Sequence, residues 1–135
     1  MERAVVREFA EPARIEVITG TTPAPAPGEV LIEVDAAGVS FVDNLIAKGR
    51  YQIRPPLPYT PGSTVAGRVV AVGEGVDSPV VGDAVATLLT SYGGFASHLV
   101  LGAGAVVPLP DGRTRFYFEA ARTDGSHDLM TSLSD

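Results

Sequence analysis

The sequence contains no cysteine and few basic residues. With no cysteine among 135 residues, the protein can form no disulfide and no thiolate metal site, and its redox compartment stays undecided. Ten lysines and arginines stand against 16 aspartates and glutamates, which gives a net charge of −6. No run of lysine and arginine interrupts that acidity. Nucleic acid and anionic membrane surfaces are therefore poor partners for this chain.

Long apolar runs are also missing. The N-terminus carries no basic-then-apolar leader, and no apolar run is long enough to span a bilayer. We therefore expect a soluble, cytoplasmic protein. Hydrophobic residues make up 45% of the chain, which is enough for the core of a single domain, and 15 glycines and 11 prolines favour turns over helix.

Apolar alternation and turn residues predict seven or eight short strands. The first two, at 3–9 and 15–18, are close enough to pair as a hairpin. The glycines at Gly67 and Gly73 suggest a bulge or a close backbone approach. The pattern favours a compact β-barrel or sandwich. The remaining predicted strands are 29–34, 64–72, 84–89, 95–101 and 105–107.

One short helix is predicted at 41–48. Ser40 suits its N-cap, and Asp43 stands three residues later in the position of a capping acid. Gly49 suits its C-terminal end. Polar side chains at the ends of elements are where a scaffold usually presents its chemistry, and four fit that description: Ser40, Asp43, Tyr51 and Ser63.

A dinucleotide-binding glycine turn is not evident. Gly73-Glu74-Gly75 follows a strand, but a turn and another strand come next instead of a helix. The Glu74 carboxylate would also repel phosphate. We expect no phosphate site at this turn.

Several motifs together resemble a known family. They are Pro27-Gly28-Glu29-Val30-Leu31, Ala36-Ala37-Gly38-Val39, Gly49-Arg50-Tyr51, Pro61-Gly62-Ser63, Ala66-Gly67-Arg68-Val69-Val70, Val81-Gly82-Asp83-Ala84-Val85 and Pro108-Leu109-Pro110-Asp111-Gly112. In order and spacing they resemble the N-terminal GroES-like domain of the medium-chain dehydrogenase/reductase superfamily, within it the zinc-free NADPH:quinone oxidoreductases.

The resemblance covers residues 1–112. It implies a mostly β, partly open barrel with one or two short helices that forms one wall of an active-site cleft. In the family, the other wall is a Rossmann domain that holds most of NADPH, and these 135 residues do not include it. Residues 113–135 form a divergent tail, for which a natural truncation, a shifted reading frame and a specialised terminus all stay open.

The tail concentrates three aromatic residues at 116–118. A domain of this type without its Rossmann domain leaves apolar surface exposed, and such surface tends to bind another protein surface. The tail can fold back over that surface or cross to a second subunit. We expect a homodimer with residues 116–118 buried.

A metal site is not expected. Zinc-dependent relatives place a cysteine where Ser40 stands and a histidine where Ser63 stands, and serine hydroxyls are poor zinc ligands. His98 is expected to be a surface or hydrogen-bonded residue.

The resemblance implies roles for several polar residues. Tyr51 and Asp43 are the candidate catalytic groups, and Ser40, Asp43 and Tyr51 are candidates to contact the cofactor. Helix capping is the alternative for Ser40 and Asp43. The resemblance also places Ser63 and Tyr92 at the substrate pocket, with wall packing as the alternative for Tyr92.

Three neighbouring residues complete this interpretation. Arg50 and Arg54 flank Tyr51, where they are either solvated surface charges or contacts for an anionic ligand. Thr64 replaces a glutamate common in the family, which weakens the transfer of any supporting role to that position.

Three functions stay open. The first is the catalytic domain of an NADPH-dependent oxidoreductase acting on a quinone or enone, redox-incompetent alone and binding NADP(H) weakly or not at all. The second is a non-redox enzyme, such as a cyclase, isomerase or lyase, that reuses the cleft. The third is a non-catalytic binding or assembly module.

Overall fold

A five-stranded antiparallel sheet forms the centre of the molecule. In the computed structural model, residues 1–88, 92–109, 114–121 and 127–134 are described, with Leu88 and the last two ranges given by their backbone alone. The strand order in the sheet is β6-β3-β4-β5-β7. These strands are β3 (Glu29–Gly38), β4 (Thr64–Val72), β5 (Ala84–Leu88), β6 (His98–Gly102) and β7 (Val107–Pro108).

The pairing of β3 with β4 is interrupted by two register shifts. The pairing begins with Val30 opposite Val72 and ends with Gly38 opposite Thr64, and it slips between Leu31 and Ile32 and again between Val34 and Ala36. A Cβ atom at Gly67 would collide with the carbonyl oxygen of Glu33. The predicted bulge and close backbone approach are both confirmed.

The main core lies on one face of this sheet. It contains Val30 and Ile32 from β3, Val69 from β4, Val85 from β5 and the buried Val106. Apolar side chains at alternate positions of a strand point to the same face, so the alternation in the sequence places these residues together.

A hairpin of β1 (Glu2–Val5) and β2 (Glu16–Thr19) packs beside the sheet. The Ala4 amide donates to the Phe95 carbonyl oxygen at 2.8 Å, and Val6 exchanges two backbone hydrogen bonds with Tyr59. The predicted hairpin is confirmed.

Helix α1 (Phe41–Ala47) follows β3 directly. Ser40 is its N-cap, and Gly49 just beyond its end has a φ of 72°, a conformation that glycine adopts without steric cost. A second core joins this helix to the hairpin and the crossing segment, through Val6, Ile46, Ala47 and Tyr59.

Several sequence predictions differ from the structure. The first strand, predicted at 3–9, ends at Val5, and the strand predicted at 29–34 continues to Gly38. The strand predicted at 95–101 begins only at His98, and the one predicted at 105–107 is a 3₁₀ turn (Ala103–Ala105) followed by β7. The tail, given no element from the sequence, forms an antiparallel hairpin of β8 (Thr114–Ala121) and β9 (His127–Ser134). Short β-stretches near glycine-rich turns carry too little periodicity to fix their ends.

The expected fold class is confirmed: the protein is mostly β, with one short α-helix, open sheets and no Rossmann fold in the described residues. The backbone of β8 approaches β3, β4 and β5. The expected burial of side chains 116–118 lies outside the described residues. Within the part of the chain that the structure describes, no helix is long and apolar enough to cross a membrane.

Candidate functional site

Ser40 and Asp43 form a reciprocal cap at the start of α1. Asp43 Oδ2 accepts hydrogen bonds from the Ser40 amide at 2.8 Å and the Ser40 hydroxyl at 3.1 Å. The Ser40 hydroxyl in turn accepts from the Asp43 amide at 3.3 Å. The predicted capping interaction is confirmed, and it binds together two of the residues that the resemblance assigned to a cofactor.

Asp43 is buried, with only 6% of its surface exposed. A buried carboxylate is costly unless hydrogen bonds compensate it, and the two bonds from Ser40 supply that compensation. The charge of Asp43 also acts on a residue that the sequence analysis did not select, Tyr59.

Tyr59 lies at the centre of the candidate site. Its side chain is 5% exposed, and no described residue offers its hydroxyl a hydrogen bond. Burial, and after it the nearby charge of Asp43, raises the pKa of Tyr59 to about 12. The phenol therefore stays protonated at every physiological pH and can act only as a neutral donor or acceptor.

Tyr51 packs against the same core. It is half-buried beside the cluster of Val6, Ile46, Ala47 and Tyr59, which Phe9 also contacts. The hydroxyl of Tyr51 takes part in none of the hydrogen bonds between described residues. It can therefore serve a ligand without first breaking an internal bond.

Tyr92 completes the group of tyrosines. Its ring meets the ring of Tyr59 edge-on, with centroids 5.8 Å apart and planes inclined at 78°. Tyr92 is 40% exposed. The structure therefore brings Asp43, Tyr51 and Tyr92 around Tyr59, although the sequence separates Asp43 and Tyr92 widely.

Ser63 lies close to this group along the backbone. The Gly93 amide donates to the Thr60 carbonyl oxygen at 2.6 Å, and the Gly94 amide donates to that of Gly62 at 2.9 Å. These bonds join the segment before Ser63 to the segment after Tyr92. Ser63 itself is half-buried, and no hydrogen bond between described residues joins its side chain to the tyrosines.

The two arginines beside Tyr51 have partners within the chain. Arg50 forms an ion pair with Glu11. Arg54 donates to the Gly49 carbonyl oxygen at 2.8 Å, and its guanidinium lies 5.8 Å from the centroid of the Phe9 ring. Both are exposed, so these contacts favour the surface interpretation of the two charges.

Metal ligands do not gather in the described part of the chain. No group of three or more histidines, cysteines and acidic residues is found there. His98 Nδ1 lies 3.1 Å from the Ser97 hydroxyl, and its Nε2 lies 3.8 Å from a Glu33 carboxylate oxygen. His98 is therefore hydrogen-bonded, as expected.

Two amides at the turn Gly73-Glu74-Gly75 and just after it donate hydrogen bonds within the chain. The Gly73 amide donates to the Glu29 carbonyl oxygen at 2.7 Å, and the Val76 amide donates to that of Gly73 at 3.4 Å. A phosphate would need free amides at such a turn.

A cavity of about 450 Å³ lies along the β1–β2 hairpin, and none of the candidate residues lines it.

Sequence reasoning missed Tyr59. One signal could have found it: an aromatic residue between Pro58 and Pro61, inside a crossing whose other residues are mostly exposed. An aromatic side chain in such a segment must pack against something, and here it packs between Phe9 and Tyr92.

Comparisons with known proteins identify the family of this chain. The family model of the alcohol dehydrogenase GroES-like domain matches residues 26–111. Quinone oxidoreductase of Rattus norvegicus is 40% identical over 107 residues, covering 78% of this chain and 32% of that protein.

Solved structures show the same similarity. The Escherichia coli quinone oxidoreductase complexed with NADPH aligns with a TM-score of 0.75 and 30% identity, covering 82% of this chain and 34% of that one. The human synaptic vesicle membrane protein VAT-1 homolog-like protein aligns with a TM-score of 0.75 and 28% identity, covering 82% and 35%.

The chain therefore belongs to the alcohol dehydrogenase GroES-like domain family, the N-terminal domain of the medium-chain dehydrogenase/reductase superfamily. Within that superfamily it is a quinone-oxidoreductase-like protein. It spans about a third of the length of the relatives that it matches.

Proposed function

We propose that this domain binds the carbonyl substrate of a zinc-free, NADPH-dependent reductase, a quinone or an enone. The observation that carries the proposal is the cluster of Tyr51, Tyr59 and Tyr92 beside the capped carboxylate of Asp43. Aromatic rings provide flat apolar surface for a conjugated carbonyl compound, and tyrosine hydroxyls can bind its oxygen.

Tyr51 is the residue proposed to contact the substrate oxygen. Its hydroxyl is free of bonds to described residues, and its side chain packs against the cluster that contains Tyr59. As a neutral donor it can orient a carbonyl and supply a proton as negative charge develops on the oxygen. Asp43 is proposed to act through the electrostatic field of its carboxylate, since both hydrogen bonds from Ser40 hold it in the cap.

The residues present fit only one end of the implied cofactor. The exposed apolar side chains Val39 and Phe41 stand next to the Ser40 cap and can pack against a nicotinamide ring. NADPH, when bound, supplies the hydride. The amides of Gly73 and Val76 are engaged, and the Glu74 carboxylate repels phosphate. This turn is therefore a poor site for a pyrophosphate, and we propose that the isolated chain is redox-incompetent.

A binding experiment with para-benzoquinone and cyclohexenone tests this function. With no cysteine in the chain, thiol addition cannot imitate binding. Calorimetry should show saturable binding of either compound, weakened roughly two- to tenfold by Tyr51→Phe, which removes one neutral hydrogen bond. Ser78→Ala is the control and should bind as the wild type does, because Ser78 is exposed and takes part in no hydrogen bond among the described residues.

Other outcomes select the alternatives. Turnover of a carbonyl compound without NADPH would favour a cyclase, isomerase or lyase. Absence of binding, together with tight association to a protein partner, would favour an assembly module. A cytoplasmic location and a homodimer remain part of the proposal.

A further inference from the structure

The hydroxyl of Tyr59 is a buried polar group without a partner. No described residue bonds to it, and the atom is closed to solvent. Unpartnered buried polar atoms are rare in folded proteins, because each loses its hydrogen bonds to water on folding. Such an atom usually forms a hydrogen bond with a water molecule or a ligand.

The ring that carries this hydroxyl is held firmly. Tyr59 exchanges backbone hydrogen bonds of 2.8 and 3.0 Å with Val6. Its ring lies 6.4 Å from that of Phe9 and 5.8 Å from that of Tyr92, centroid to centroid. The hydroxyl is therefore fixed in position before any ligand arrives, so that binding would cost little ordering of this side chain.

The charge beside the hydroxyl selects the kind of ligand atom. The Asp43 carboxylate is near enough to act on Tyr59, and it repels a second anion. A neutral oxygen that accepts a hydrogen bond suits this position, and a carbonyl oxygen is such an acceptor.

From this geometry we infer that Tyr59 is a second substrate-positioning residue, whose hydroxyl donates a hydrogen bond to the carbonyl oxygen of a neutral ligand. The inference rests on the proposed function and adds to it a second tyrosine of the same cluster. The Tyr59 hydroxyl is closed to solvent, so a ligand reaches it only if a covering side chain moves; Tyr92, which contacts the Tyr59 ring and is 40% exposed, is the one proposed to do so.

The variant Tyr59→Phe tests the inference, because it removes the hydroxyl and keeps the ring. If the hydroxyl has no partner in the free protein, the melting temperature of the variant stays equal to that of the wild type or rises. The dissociation constant for cyclohexenone should increase roughly two- to tenfold, the value of one neutral hydrogen bond.

Nuclear magnetic resonance of the wild type gives a second measurement. With ¹³C at tyrosine Cζ and signals assigned from the Tyr→Phe variants, saturating cyclohexenone should shift the signals of Tyr59 and Tyr92.

Each outcome decides between the two proposals. A lower melting temperature of Tyr59→Phe would show that the hydroxyl has an internal partner, and it would overturn the inference. Equal cyclohexenone affinity of variant and wild type, or an unmoved Tyr59 signal on saturation, would overturn the inference and leave the proposed function standing. Failure of the wild type to bind either carbonyl compound would overturn both.

Discussion

Asp43 lies at the start of α1, where its Oδ2 atom accepts hydrogen bonds from the amide and the hydroxyl of Ser40. An aspartate at this position gains from the helix dipole as well as from the two bonds. Its structural role is therefore observed, whereas its role toward a ligand is proposed. The two are compatible, because the same negative charge acts on Tyr59.

Replacing Ser40 with alanine should destabilise the fold by about 1 kcal/mol, the usual effect of losing an N-cap side chain. Urea unfolding followed by circular dichroism would measure the change. Ser78→Ala is the matched control, because Ser78 is exposed and takes part in no hydrogen bond among the described residues. Equal stability of the two variants would contradict the capping role.

Stability should fall at alkaline pH through Tyr59. Burial and the Asp43 charge raise its pKa from 10.0 to about 12, so the unfolded chain releases this proton first as pH rises. The contribution of the protonated Tyr59 phenol to the free energy of unfolding is present in full below about pH 10 and is lost toward about pH 12. The loss amounts to at most about 2–3 kcal/mol.

The measurement compares wild type with Tyr59→Phe by urea unfolding at about pH 9 and about pH 11. The wild type should lose more stability between the two than the variant, in which the titrating group is missing. Equal losses would show that the Tyr59 phenol ionises as easily in the folded protein as in the unfolded chain.

Among the elements, the β3–β4 pair determines where the site lies. β3 leads directly into the Ser40 cap, and Thr64, the first residue of β4, pairs with Gly38 at the end of β3. The two register shifts bend this pair. Gly67 permits the bend, because at this position the two backbones are too close for a side chain.

The variant Gly67→Ala should therefore destabilise the fold by about 1–3 kcal/mol or prevent folding, since the added methyl group would overlap the Glu33 carbonyl oxygen. Thermal unfolding would measure this loss of stability. Gly104→Ala is the control, because a Cβ there would meet nothing within 4 Å. A Gly67→Ala variant as stable as this control would mean that the strands can separate without cost.

On the scale of the whole molecule, the tail hairpin is the feature that the family comparison does not explain, since the family match ends at residue 111. Its strands β8 and β9 pair with each other, and β8 approaches the five-stranded sheet. We propose the division into a domain at 1–112 and a tail at 113–135.

Deleting residues 113–135 should reduce the molar mass in solution from that of a homodimer or lower the solubility, because apolar surface on the domain loses its cover. Light scattering after size exclusion would measure the mass. A soluble monomer both with and without the tail would contradict the proposed homodimer.

The whole chain should bind NADPH no more tightly than roughly millimolar, because two or three hydrogen bonds near Ser40 and Tyr51 contribute only about 0.5–1.5 kcal/mol each against several kcal/mol lost on association. Fluorescence titration would test this. A micromolar constant would mean that the tail or a second subunit supplies a phosphate site.

Local patterns in the sequence determined much of the fold. Alternation predicted β3 and the hairpin, and the spacing of Ser40, Asp43 and Gly49 predicted the capped helix with its ends. These features depend on residues that are neighbours along the chain, so their interactions can be recognised without knowledge of the rest.

Tertiary structure alone decided what surrounds the candidate site. Tyr59 became its centre because the crossing segment pairs with Val6 and places the ring between Phe9 and Tyr92. Those partners are distant in sequence, and only packing brings them together. Because of that burial, the Tyr59 hydroxyl has no hydrogen-bond partner among the described residues and its pKa is raised. No local pattern in the sequence predicts this burial.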